Sequence, residues 1–300
     1  MTARAVRLGS TSLLAIGLVT FVGVIAFAWP LLADPASSAV AHASDAPILF
    51  AIVMPLLLLV VLAQVSDGGM DAKSIAMLGV LSAVICALRP LGGGAVGIEP
   101  IWAVLILGGR ALGPGFGFAL GSISLFASAL ITGGVGPWLP FQMLAAAWVG
   151  LGAGLLPQAS GRREVTMLAG YAAVASLAYG FLMNLWFWPF SAGLPEALAF
   201  VAGAPLSENL AAWLRFCLVT SLGYDIPRAV IAVVLIIVAG RPVLLALRRM
   251  SRRAAFEAPV SFAPQPGPPY LAPTGPGGSA GPTGQDAQES RDRATPTLPG

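Results

Sequence analysis

Charge is the scarcest property of this chain. Asp, Glu, Lys and Arg make up 10% of its 300 residues, against about a quarter in ordinary globular proteins. A soluble domain needs that charge on its surface, so the deficit points to the membrane class. Histidine occurs once, at His42. A lone histidine cannot build a multi-histidine zinc or iron centre, and none lies within an apolar run to activate a serine or a cysteine. Cys86 and Cys217 each sit inside an apolar segment and read as small hydrophobes, not as a disulfide framework. There is no G-x-S-x-G elbow, no Walker A loop and no paired-carboxylate cluster of the kind that holds Mg²⁺ on a diphosphate. These absences argue against an enzyme, and no cofactor or metal is expected. The net charge of +3 comes mainly from arginines at helix ends and gives no footing for nucleic acid.

What the chain does have is 57% hydrophobic residues, gathered into long runs. The stretch that organises them is Gly92 to Pro157, mostly apolar but broken by Gly and Pro, with Glu99, Trp102, Trp138 and Gln142 near the breaks. A transmembrane helix needs roughly 20 apolar residues. On that scale the chain is an all-α, polytopic membrane helix bundle of about eight transmembrane helices. The expected spans are Ser10 to Leu32, Pro47 to Val65, Ser74 to Leu88, Ile98 to Gly109, Phe116 to Ile131, Trp138 to Leu156, Val165 to Trp188 and Ile226 to Leu247. The fourth is brief at about 1.5 Å per residue, so it should extend into its flanks or meet a re-entrant loop. Pro189 to Glu208 reads as a long connection with room for a short helix, and Asn209 to Leu222 as partly embedded. A signal peptide is the rival reading of the first run, with Ala41-His42-Ala43 as its cleavage site. That run exceeds the usual h-region of about 7–15 residues, which favours a retained helix.

Basic residues set the expected orientation. With the N-terminus in the cytoplasm, Arg4, Arg7, Lys73, Arg110, Arg162, Arg163, Arg241, Arg248, Arg249, Arg252 and Arg253 all face inward. Only Arg89, Arg215 and Arg228 fall outside, and the C-terminus is cytoplasmic as well. The same threading collects the polar residues at the outer ends: Glu99 beside Arg89, Trp138 with Gln142, Asn184 with Trp186 and Trp188, and Asn209, Tyr224, Asp225 and Arg228. Polar and ionisable groups at membrane depth are costly and face a cavity or a partner. One outward pocket is therefore expected, with Glu99 and Asp225 as anchors and Trp138 and Trp188 as stacking walls for a planar or polar ligand. Plainer readings stand beside this: an aromatic belt for the tryptophans, an i,i+3 ion pair for Asp225 and Arg228, and interhelical hydrogen bonding for Asn184. Small residues four apart mark helix contacts: Gly79, Ala83 and Ala87; Gly113, Gly117 and Gly121; Ala146, Gly150 and Gly154.

From Lys73 to about Arg253 the chain resembles the substrate-binding S component of energy-coupling factor (ECF) transporters, in its actinobacterial form. The residues that carry the resemblance are GGGAVGIEP (Gly92 to Pro100), GPGFGFALG (Gly113 to Gly121) and TGGVGPWLPFQM (Thr132 to Met143). NLWFWPF (Asn184 to Phe190) and YDIPR (Tyr224 to Arg228) support it. The resemblance implies a six-helix core at 73–253 that captures a vitamin-type molecule from outside. It also implies a transmembrane coupling subunit and two cytoplasmic ATPases as partners. Ala83 and Ala87 match the family's Ala-x-x-x-Ala surface for the coupling subunit, with Gly79 extending the stripe. The loop Leu91 to Gly97 would close over the ligand. Residues 1–72, with two further helices, and the Pro/Gly-rich tail at 254–300 fall outside that core, and the tail is expected to be disordered. The start Met1-Thr2 lacks the Met-His of cobalt and nickel members, which argues against a free metal ion as substrate. The alternative class is a stand-alone ion-coupled carrier, although no inverted repeat between halves is visible.

Overall fold

In lipid every backbone N–H and C=O must find its partner within the segment, so apolar runs of this length fold as helices. A computed structural model describes residues 9–32, 55–56, 59–60, 70, 72–92 and 97–254, and among these all regular structure is helical. The helices are α1 (Ser10–Leu32), α2 (Ala72–Leu88), α3 (Ile101–Leu112), α4 (Pro114–Thr132), α5 (Leu139–Leu155), α6 (Gly161–Phe187), α7 (Leu206–Phe216) and α8 (Leu222–Ala254). Among the described residues, five stretches are long and apolar enough to cross a bilayer: Ser10–Leu31, Ala72–Gly92, Pro114–Thr132, Gly161–Phe190 and Leu206–Ser251. α3 and α5 are shorter apolar helices. The second expected span lies outside the described residues except for 55, 56, 59 and 60, which are helical. The Ala41-His42-Ala43 site, residues 93–96 of the glycine loop, and the tail beyond Ala254 also lie outside them.

Two local features differ from the sequence pattern. α3 has 12 residues, about 18 Å at 1.5 Å per residue, and begins at Ile101, three residues later than expected. Gly113 ends it with φ +106°, donating its N–H to the Gly109 carbonyl, and Pro114 then opens α4 at once. A side chain at Gly113 would be strained at that φ, while Pro at the first helical position loses no bond the helix could make. The second difference lies at the end of the chain. The expected partly embedded piece and last span run together, joined by a five-residue π-turn at Cys217–Ser221. Pro227 sits inside α8, where it removes the bond to the carbonyl four residues back.

α4 and α5 pack against one another through two of the small-residue stripes. An added Cβ at Gly117 would strike the Gly150 carbonyl, and one at Gly150 would strike Gly117 in return. Gly121 lies in the same way against the Ala146 backbone, and Gly154 against Gly113 and Pro114. α3 and α2 pack on this pair, and α8 packs on α6 and α3. α1 lies across α5, α6 and α7. It inserts Phe27 between Phe141 (ring centroids 5.0 Å apart) and Trp148 (5.8 Å), and Trp148 donates to the Thr20 hydroxyl at 3.1 Å. The opposite face of α1, with Leu14 and Phe21, is exposed, as suits a helix that faces lipid.

Overpacking a seam of this kind costs about 1–3 kcal/mol or more. Gly150→Val should therefore lower the melting midpoint of the purified full chain by several degrees. Gly170→Val, where an added side chain meets nothing within 4 Å, should stay near wild type. Equal midpoints for the two variants would contradict the close approach of α4 and α5.

Candidate functional site

The turn that leads into α3 brings distant residues together. Gly97 has φ +70°, and any side chain there would run into the Tyr224 carbonyl and Pro227. The turn therefore lies directly against the first turns of α8. Glu99 donates its backbone N–H to the Gly97 carbonyl at 3.0 Å and is thereby presented to Arg228. The Arg228 Nε donates to Glu99 Oε2 at 2.8 Å, and its Nη1 donates to Asp225 Oδ1 at 2.5 Å. The Asp225 and Arg228 side chains are 2% and 9% exposed, and Glu99 is 28% exposed. At Gly180 on α6 an added Cβ would collide with the Asp225 carboxylate, so only glycine leaves room for the pair.

Aromatic groups complete this wall. Trp102, one turn after Glu99, donates its indole N–H to Glu99 Oε2 at 2.6 Å. Its ring lies 4.2 Å from that of Tyr179 on α6. The Arg228 guanidinium carbon sits 5.2 Å from the Tyr179 ring and 6.0 Å from that of Trp102, within range of cation–π attraction. On the other side Arg89, in the 3₁₀ turn that follows α2, donates from Nη2 to Gln142 Oε1 at 2.9 Å. Between these walls lies a cavity of about 550 Å³, lined also by Pro90, Gly92, Ile101, Thr132 and Met183. This is within the usual size of a small-molecule site, roughly 300–1,000 Å³.

Of the residues singled out in the sequence, Glu99, Gln142 and Arg228 line the cavity, and Asp225 stands behind the wall, bonded to Arg228. The others are placed elsewhere. Trp138 is partly exposed, donates to the Gly134 carbonyl at 3.2 Å and meets Trp186 edge-on. Trp188 is fully buried in a separate small core with Phe216, and its indole N–H reaches the Leu198 carbonyl at 2.6 Å. Asn209 spends its amide on both backbone groups of Val201. Asn184 donates to Ser221 Oγ at 2.6 Å and to Cys217 Sγ at 3.2 Å, which ties α6 to the π-turn. With exposed Tyr224 it borders a second cavity of about 500 Å³.

Trp102, Tyr179, Thr132 and Met183 were not singled out as ligand contacts. Two signals point to three of them: Trp102 falls one helical turn after Glu99, and Ser176, Tyr179 and Met183 share a face of α6 at i, i+3, i+7 spacing. The sequence puts Arg89 at the level of Glu99; in the structure its hydrogen bond goes to Gln142, and Glu99 bonds to Arg228.

At the opposite end of the bundle a second ion cluster closes the helices. Arg110 Nε and Arg248 Nη2 both donate to Glu164 Oε1 at 2.6 Å, and Arg110 Nη1 donates to the Leu156 carbonyl at 2.8 Å. Every group there has a partner, and the cluster ties α3, the end of α5, α6 and α8 together.

The architecture is that of a polytopic membrane bundle with a ligand-sized polar cavity at one end and a buried ion cluster at the other. The family model of the ECF transporter substrate-specific component matches residues 73–240. That is more than half of the chain, and the chain belongs to this family: it is a substrate-specific membrane subunit. No curated protein and no solved structure matches it.

Removing one partner of a buried ion pair strands the other and costs about 3–5 kcal/mol. Arg228→Met should therefore lower stability by that order, read as the melting midpoint of the full chain. Adding Glu99→Gln and Asp225→Leu to Arg228→Met should recover much of the loss. Should Arg228→Met melt with wild type, the triad does not hold the α3 turn to α8.

Proposed function

We propose that this protein captures a vitamin- or cofactor-like organic molecule in the 550 Å³ cavity from outside the cell membrane. It would deliver that molecule together with a transmembrane coupling subunit driven by two cytoplasmic ATPases. The observation that carries the reading is the convergence of Arg89, Glu99, Gln142, Trp102, Tyr179 and Arg228 around one ligand-sized space. Aromatic faces supply contact area, and the few polar groups fix orientation. Both termini are cytoplasmic in this reading, which places the cavity on the outer side. Residues 73–253 form the binding core, and α1 buttresses it.

The docking face for the coupling subunit is the bare side of α2. Gly79, Ala83 and Ala87 are all exposed there, beside Ile75, Val80 and Val84. Small residues let another helix backbone approach closely, which matters in lipid, where no hydrophobic effect drives helices together. The protein itself carries out no catalysis; its share of transport is recognition.

Two measurements test this. Mass spectrometry of small molecules released from the purified full chain should find a compound that a Trp102→Ala, Glu99→Gln double variant no longer retains. Ala83→Leu should leave that compound bound but abolish co-purification with the coupling subunit and uptake by cells that express the whole complex. Uptake by the isolated protein under an ion gradient alone would instead identify a secondary carrier and defeat the proposal.

A further inference from the structure

The cavity distributes its charges unevenly. On one side Arg228 is shared by two carboxylates, Glu99 and Asp225, so that wall carries one more negative than positive charge. The Arg228 charge is already shared between those two carboxylates: Nε and Nη1 are bonded, the guanidinium lies beside two aromatic rings, and only Nη2 is left for a ligand. Arg89 stands on the other side, close enough for its charge to act on Glu99 across the cavity, but with a different hydrogen-bond partner. Its hydrogen bond goes to a neutral amide oxygen, and no ion pair among the described residues includes it.

A guanidinium has five donors in a planar fork, matched to two oxygens that carry negative charge. A single amide oxygen uses only part of it. If a neutral molecule filled the cavity, it would strip water from Arg89 and return no charge, which is unfavourable. An anionic oxygen returns both charge and hydrogen bonds, and charge-assisted bonds of this kind are roughly twice as strong as neutral ones. Gln142 lines the cavity beside Arg89. With its carbonyl oxygen turned to Arg89, its amide nitrogen is a donor available to the same anion. The opposite wall suits the rest of such a molecule. Trp102 and Tyr179 form an aromatic surface, and Glu99 carries both of its bonds on Oε2, which leaves Oε1 to accept from an N–H or O–H.

We propose that the molecule held in this cavity is an organic acid, whose anionic oxygen is gripped by Arg89 and Gln142 while its flat portion lies along Trp102 and Tyr179. The inference rests on the cavity being the ligand site. It adds the charge class of the ligand and the residue that selects it.

The test uses the full chain in nanodiscs and three fractions of a cell extract: water-soluble molecules retained by an anion-exchange resin, water-soluble molecules not retained, and lipids. Each is added to wild type, Arg89→Gln, Gln142→Glu and the exposed, distant Arg162→Gln, and the melting midpoint is read. The retained fraction alone should raise the midpoint of wild type and of Arg162→Gln. Arg89→Gln should need at least about tenfold more of it for the same shift, the scale of a lost charged hydrogen bond. Gln142→Glu, which gives Arg89 a carboxylate of its own, should respond as weakly. Stabilisation by the unretained fraction alone would overturn the organic-acid inference and leave the ligand site standing. Stabilisation by the lipid fraction alone would mean that a headgroup fills the cavity, and would overturn it too. An equal response of wild type, Arg89→Gln and Gln142→Glu to the retained fraction would also overturn it, because the acid would then bind without them. No response to any fraction would remove the ligand site itself.

Discussion

The guanidinium of Arg228 takes one carboxylate from its own helix and one from the turn ahead of α3, 129 residues earlier in the chain. An arginine at this depth cannot be left unpaired, and each carboxylate needs the arginine for the same reason. Their mutual need fixes the α3 turn against α8, and with it the positions of Glu99 and Trp102. Gly97 and Gly180 are the steric conditions of that arrangement: the first lets the turn lie on α8, the second makes room for Asp225. The polar wall of the cavity is thus a by-product of satisfying one buried cation. The cluster around Glu164 does the same at the far end, where two arginines share one carboxylate. Between the two clusters the bundle is held by apolar packing and by the glycine seam of α4 and α5.

Much of the helical architecture was legible because lipid leaves the backbone so few options. Runs of apolar residues marked α1, α2, α4, α5 and α6, and the breaks at Gly113, Gly133 and Gly161 all take positive φ values. The difficulty lay where one residue type serves two purposes. Small residues four apart occur on α2, α4 and α5, yet the stripes on α4 and α5 close on each other while that on α2 is left bare. Spacing along one helix cannot say which neighbour, if any, will cover a stripe. Pro227 and Gly223 similarly resemble a break between two helices, but the π-turn at Cys217–Ser221 carries the chain through.

The site was legible by side more than by residue. Threading placed the polar groups at one end, and Glu99, Gln142 and Arg228 do meet there. Trp188 and Asn209 share that end, but the connection between α6 and α7 uses them for its own needs. A long loop must satisfy its own backbone groups, and Leu198 and Val201 take the indole and the amide. Tyr179 and Trp102 were harder to single out because an aromatic residue in an apolar helix looks the same whether it faces lipid, core or cavity. What separates them is the phase of α6 and α3, and that is settled only when Asp225 and Glu99 choose Arg228.

α2 has two ends of one use. Its bare face runs along the bundle, and its last turn continues directly into Arg89 and Pro90 in the cavity wall. A helix of 17 residues is about 25 Å long and stiff along its axis. A neighbour that leaned on Gly79 or Ala83 would therefore be felt at the cavity mouth with no intervening hinge. Linkage makes such an effect run both ways. Whatever factor a neighbour on that face changes the hold on cargo by, cargo changes the hold on the neighbour by the same. A filled cavity and an empty one would then present different surfaces to the membrane through a single rod.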